Sequence, residues 1–210
     1  MEDEKGQYDG PIPTMFVGLG AEVLAQQLVG MPDVVEKVMD FGAEQVILVR
    51  DDTMKETVKR TLGEDTALVL SILDSKGMEF EDVFLLDFFS SSPTPSGLRS
   101  LKEILVPGSN LADIERNALL CSELKHLYVA VTRPRIQLWF LESSSEAAEP
   151  IVKLLEGNGT KPLVDVVRRD DPDVNERLEM MKPAASSDPK KISERGYQFL
   201  QRGLYKEVWR

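Results

Sequence analysis

Two stretches, Ala67 to Ile72 and Asp82 to Phe88, are apolar at nearly every position over the length of a strand. A strand with one wet face alternates, so a run that is apolar throughout must be covered on both sides, as inside a parallel sheet flanked by helices. The neighbouring segments fit. Gln45 to Val49 is apolar and β-branched, and is followed by a helical pattern from Thr53 to Thr61 capped by Asp52 or Thr53. Upstream, Pro11-Ile12-Pro13 leads into a short strand at Thr14 to Gly18 and a helix at Ala21 to Val29. Downstream, Asn110 is a fair N-cap for a helix over Leu111 to Val129, which Pro134 ends or bends before a strand at Ile136 to Leu141. A helix at Ala147 to Glu156, a turn at Gly157-Asn158-Gly159 and a last strand at Leu163 to Val167 complete the series. The expected fold class is α/β, a parallel sheet sandwiched by helices, with a helical C-terminal extension.

Composition divides the chain. Ser90 to Asn110 is rich in Ser, Pro and Gly and reads as an exposed loop. Arg168 to Pro189 is charged and Pro/Ser-rich, so 171–190 is expected to be a linker between a domain at 44–170 and the start of a repeat-like helical extension at 191–210. Residues 1–43 form a lead-in segment expected to pack on the domain. With 42% hydrophobic residues, 210 positions can bury a sizeable core. No apolar run approaches the roughly 20 residues needed to cross a bilayer, and the acidic start Met1-Glu2-Asp3-Glu4-Lys5 is unlike a secretory signal. An intracellular chain with no membrane partner is expected, its compartment open between nucleus and cytoplasm. The single cysteine, Cys121, allows no intrachain disulfide, and Cys and His do not cluster at metal-ligand spacing, so no metal ligand is assigned.

A net charge of -11 argues against binding nucleic acid through the overall field. Any such contact must be local. Between Glu115 and Phe140 the balance reverses, with Arg116, Lys125, Arg133 and Arg135 against Glu115 and Glu123.

Two segments carry the chemistry. One is Ser71-Ile72-Leu73-Asp74-Ser75-Lys76-Gly77-Met78-Glu79-Phe80, a strand, a polar turn and an acidic residue entering the next strand. The other is Leu127-Tyr128-Val129-Ala130-Val131-Thr132-Arg133-Pro134-Arg135. Lys-Gly-Met-Glu-Phe resembles the core of motif V in UvrD-like superfamily 1 helicases, and the second segment resembles their motif VI, in the same order. The resemblance covers roughly Gln45 to Glu142. It implies the second, C-terminal RecA-like domain of an ATP-dependent DNA helicase or translocase, a P-loop NTPase-type fold. The helical tail is similar to what proteins that join this motor to tetratricopeptide and ankyrin repeats would carry.

In that family the two motifs face a cleft where ATP with Mg²⁺ is held by an upstream RecA-like domain. The resemblance makes Arg133 the catalytic arginine finger, whose guanidinium stabilises charge developing on the terminal phosphate. Its side chain is expected at the carboxyl-end rim of the sheet with an open face. Glu79 would accept a hydrogen bond from the nucleotide ribose, and Gly77 would give the turn its shape beside the nucleotide. Ser71 and Lys76 would meet single-stranded nucleic acid, DNA in preference to RNA. Protein partners are implied for the helical tail.

Some positions depart from the family. Its Thr-x-His before the motif V lysine is Ser71 and Leu73 here, so the imidazole is lost, and Pro134 replaces the common Ala after the finger. No segment has the Gly-x-x-x-x-Gly-Lys-[Ser/Thr] of a P-loop, so this chain is not expected to hydrolyse ATP alone. Asp51-Asp52 reads as a turn and N-cap. Tyr128 reads as core packing, and His126 as a surface or structural residue without an acid/base role. A degenerate motor domain serving as a protein-interaction scaffold is the alternative function.

Overall fold

The computed structural model describes residues 10–29, 41–64, 66–93, 118–156, 161–181 and 189–205. Six strands, β1 (Thr14–Val17), β2 (Gln45–Val49), β3 (Val69–Ser71), β4 (Phe80–Leu86), β5 (Pro134–Glu142) and β6 (Asp165–Arg168), form one sheet in the order β3-β2-β4-β5-β1-β6. Every pairing is parallel. The helices are α1 (Ala21–Val29), α2 (Asp52–Leu62), α3 (Ala118–Val131), α4 (Ser145–Leu155), α5 (Val174–Glu179) and α6 (Pro189–Gln201). This is the α/β fold expected from the doubly apolar runs: β2 and β3 are buried at every position.

The helices divide between two apolar layers. On one face Val23, Leu24 and Leu28 of α1, Val58 and Leu62 of α2, and Leu178 of α5 pack on Phe16, Ile47, Val49, Phe84 and Trp139. Phe84 and Trp139 stack with ring centroids 4.6 Å apart. On the other face Leu120 and Ala130 of α3, Ile151 and Val152 of α4, and Phe199 of α6 cover Met15, Val46, Leu70, Val83, Leu85 and Phe140. Alternate residues of one strand therefore serve opposite layers, which is why its sequence is apolar without a break.

Several boundaries differ from the sequence reading. Thr14–Val17 is an inner strand between β5 and β6, so part of the 1–43 lead-in belongs to the sheet itself. Within the segment read as a linker, Val174–Glu179 is helical, and Leu178 and Met181 are buried against the first layer. The cap of α2 is Asp51, whose Oδ1 accepts from Met54 N at 3.0 Å; it lies in the Asp51-Asp52 pair read as a turn and N-cap, one residue before the Asp52 or Thr53 read from the helical pattern. Most of the Ser90–Asn110 loop, the first turns of the helix read from Leu111, and the Gly157–Gly159 turn lie outside the described residues. Among the described residues no helix is long and apolar enough to cross a membrane.

At the carboxyl edge, Glu142 ends β5 fully buried, and its carboxylate accepts from Phe89 N at 3.0 Å, Ser90 N at 2.8 Å and Ser90 Oγ at 2.7 Å. Burial pushes its pKa from 4.5 up to about 7, with Asp87 adding repulsion and the three hydrogen bonds opposing. A folded pKa above the unfolded one means that the group's contribution to stability is fully present below about pH 4.5 and is lost as pH rises through about 7. Urea unfolding at pH 5 and pH 8 should show a loss of stability at the higher pH. Glu142→Gln should flatten that slope, and an unchanged slope would exclude Glu142 as its source.

Candidate functional site

The short β3 and the long β4 are both parallel neighbours of β2, so the chain must return from one edge of the sheet to the other within Ile72–Glu79. It does so as a compact turn over the second layer, with Ile72 and Met78 buried in that core and Ser75 Oγ donating to Ile72 O at 2.8 Å. Gly77 adopts φ +74, a conformation that glycine enters without steric cost. The turn delivers Lys76, Gly77 and Glu79, all exposed, to the amino-terminal edge of the sheet.

Arg133 arrives at the same edge from the other motif. Val131 ends α3 and Pro134 begins β5 opposite Phe80, so a two-residue corner carries Arg133, and its carbonyl accepts from Phe80 N at 3.0 Å. The expectation that Arg133 stands on the carboxyl-end rim is corrected: it precedes its strand and therefore lies at the opposite end. Gly77, Glu79 and Arg133 nevertheless open on one cleft of about 540 Å³, together with Glu44, Arg135, and Lys191, Glu194, Arg195 and Gln198 of α6.

The Arg133 guanidinium is half-buried and braced by its surroundings. Nε donates to Val129 O at 2.9 Å, Nη1 to Met78 O at 2.7 Å and Nη2 to Thr132 Oγ1 at 3.0 Å. Those bonds use three of its five N–H groups. Among the described residues no carboxylate forms an ion pair with it. The charge is oriented by these bonds without a carboxylate counter-charge among the described residues.

Ser71 is not brought to this cleft. It is 4% exposed at the far end of β3, and its Oγ accepts from Asp74 N at 3.2 Å, closing the turn. As a contact to nucleic acid it is corrected to a buried turn hydroxyl, while Lys76 stays exposed. Leu73, in place of the family's imidazole, is 69% exposed. Tyr128 is 65% exposed, so the core-packing expectation was wrong for it: on α3 it falls outside the stripe made by Leu120, Leu124, Leu127 and Ala130.

Sequence reasoning missed the contribution of α6. Arg195 is buried, stacks over the Phe80 ring at 4.4 Å, and pairs with Glu44 at 3.2 Å. Burial lowers its pKa from the usual value, with Glu44 opposing. Lys191 reaches Glu81 at 2.6 Å, and that hydrogen bond raises its pKa. The signal was present as a basic stripe, since Lys191, Arg195 and Arg202 fall within one narrow sector at helical spacing.

The chain is similar to known proteins in sequence and, weakly, in structure. Over 192 residues the chain is 35% identical to TPR and ankyrin repeat-containing protein 1 of Homo sapiens, a match that covers 80% of this chain and 6% of that protein. The chain thus spans only a small stretch of the curated relative it matches. The C-terminal domain of a possible DNA helicase from Lactobacillus plantarum WCFS1 is weakly similar in structure, with a TM-score of 0.41 at 14% identity, covering 75% of this chain and 86% of that one. No family model matches the chain.

Proposed function

We propose that this chain is the C-terminal motor half of a UvrD-like ATP-dependent DNA helicase or translocase, a second RecA-like domain that completes an ATP site held by an upstream domain. The observation that carries the reading is the convergence of Gly77, Glu79 and Arg133, from two motifs more than fifty residues apart, on one cleft where Arg133 keeps two N–H groups unused. The residues fit a nucleotide approaching from outside. Arg133 offers a planar cation to the terminal phosphate, Arg135 adds exposed positive charge, and the Glu79 carboxylate can accept from a ribose hydroxyl. Among the described residues no group of His, Cys, Asp or Glu gathers that could hold Mg²⁺, so the reading assigns the Mg²⁺ ligands and the P-loop to the partner domain. Bound there, ATP and Mg²⁺ would supply the phosphoryl group and its charge neutralisation. Single-stranded nucleic acid, DNA in preference to RNA, would lie across the domain with Lys76 near its phosphates.

Glu79→Ala tests the ribose assignment. In the full-length polypeptide it should raise KM for ATP about tenfold, the loss of one hydrogen bond to a charged acceptor, with kcat little changed. An unaltered KM would remove Glu79 from the site. The second reading, a degenerate motor domain used as a protein-interaction scaffold, is favoured by two observations. The relative named above is a repeat-containing protein, and all three nitrogens of Arg133 already make internal bonds. Absence of nucleic-acid-stimulated hydrolysis in the full-length polypeptide would select it.

A further inference from the structure

The turn before β4 presents four successive main-chain carbonyls, from Lys76 to Glu79, and each of them meets an arginine. Arg202 Nη1 donates to Lys76 O at 2.5 Å and its Nη2 to Gly77 O at 3.2 Å. Arg133 Nη1 donates to Met78 O at 2.7 Å, and Arg195 Nη2 to Glu79 O at 2.8 Å. A carbonyl that makes no ladder bond still needs a donor, and here a guanidinium satisfies two adjacent ones at once. Only one of the three arginines comes from the sheet edge. The other two belong to the C-terminal segment.

That segment is well anchored. Phe199 is buried in the second layer, a burial worth roughly 1.5–3 kcal/mol. Arg195 Nε donates to Ala43 O at 3.1 Å and Nη1 to Gln198 Oε1 at 3.0 Å, while Nη2 serves both the Glu44 carboxylate and Glu79 O. Beyond α6, Gly203 at φ +74 lets Leu204 N return to Phe199 O at 2.9 Å, a C-terminal turn that holds Arg202 over the loop. Contact is close, since a Cβ at Gly77 would stand 3.3 Å from Arg202 Nη2.

We propose that Arg195 and Arg202 are positioning residues: they hold the 76–79 loop in the shape that aims the Glu79 carboxylate and the Arg133 guanidinium into the same cleft. Through them α6 governs the candidate nucleotide site, so a change in the seating of α6 is transmitted to Arg133 through Met78. The nucleotide part rests on the function proposed above, whereas the clamp on the loop is independent of it.

Amide hydrogen exchange on this chain tests the clamp directly. Lys76 N and Met78 N donate to Leu73 O and Ser75 O, so their protection reports the turn itself. Arg202 is exposed, and Arg202→Ala should leave the fold intact while exchange at these two amides rises about tenfold or more, as expected for two lost hydrogen bonds. Exchange at sheet amides such as Leu85 and Phe140 should stay unchanged. Arg202→Lys should restore protection only in part, because an ammonium lacks the planar fork that spans both carbonyls. Unchanged exchange at Lys76 and Met78 in both Arg202→Ala and Arg195→Lys would overturn the clamp. In the full-length polypeptide Arg202→Ala should also lower kcat for ATP hydrolysis severalfold. Full activity there, alongside an inactive Arg133→Ala, would overturn the positioning role. If Arg133→Ala left hydrolysis intact while the loop amides of Arg202→Ala still accelerated, the nucleotide reading would fail and the clamp would stand.

Discussion

Under the proposed function, Arg133→Ala in a polypeptide that also carries the upstream domain should lower nucleic-acid-stimulated ATP hydrolysis about 10³-fold while leaving ATP affinity within a fewfold of the original. The split follows from chemistry. Phosphoryl transfer asks the protein to stabilise charge as it develops on the terminal phosphate, and a cation aimed at that position acts more on the transition state than on bound ATP. Arg133→Lys should recover little of the loss, because a point charge cannot bind two phosphate oxygens in a plane. Arg133 also braces Met78 O and Val129 O, so alanine costs some stability as well, about 1 kcal/mol per bond. Thermal unfolding of the same variants separates the two effects. A folded Arg133→Ala protein that hydrolyses ATP at the original rate would end the finger assignment.

The second large effect is structural. Glu123→Ala should destabilise this domain by about 3–5 kcal/mol, measured by urea unfolding. Glu123 on α3 is 4% exposed, and it pairs with Arg50 at 2.6 Å and accepts from Ser92 Oγ at 2.8 Å. Arg50, just after β2, also donates to Ser91 Oγ at 3.2 Å and to Phe88 O, and stacks over the Phe88 ring at 4.5 Å. One ion pair thus joins β2, the turn after β4 and α3. Removing the carboxylate leaves a guanidinium out of water without its counter-charge, and the desolvation cost of that ion is then unopposed. Replacing both partners, as in Arg50→Met with Glu123→Leu, should restore most of the loss. A single-variant cost below about 1 kcal/mol would mean that water reaches Arg50 freely.

How much of the site could be read in advance is clear from individual residues. Gly77, Glu79 and Arg133 were marked by the resemblance to two helicase motifs, and they do meet at one cleft. Local sequence also located each strand within a few residues, because an apolar run of that length has few other uses. Direction was misjudged although the order was legible: Arg133 precedes the strand read at Ile136 to Leu141, so in a parallel sheet it stands at the amino edge, as the register of Phe80 with Pro134 bears out. Ser71 was assigned to nucleic acid because it stands where the resembled motif has its Thr. Its burial depends on how the 72–79 turn folds back over the sheet, which spacing does not encode. Tyr128 followed helical periodicity into the expected core, but the α3 stripe is narrower than the periodic pattern.

The parallel α/β class follows from the residues alone, since runs apolar on both sides cannot face water and must be sandwiched. The two segments that carry the candidate site were marked without coordinates too, by their resemblance to helicase motifs. Strand order and the return of α6 onto the loop were decided only by tertiary structure. These depend on contacts between residues more than a hundred positions apart, such as Arg195 with Glu79 and Arg202 with Gly77, whose energies arise only after the chain has closed on itself.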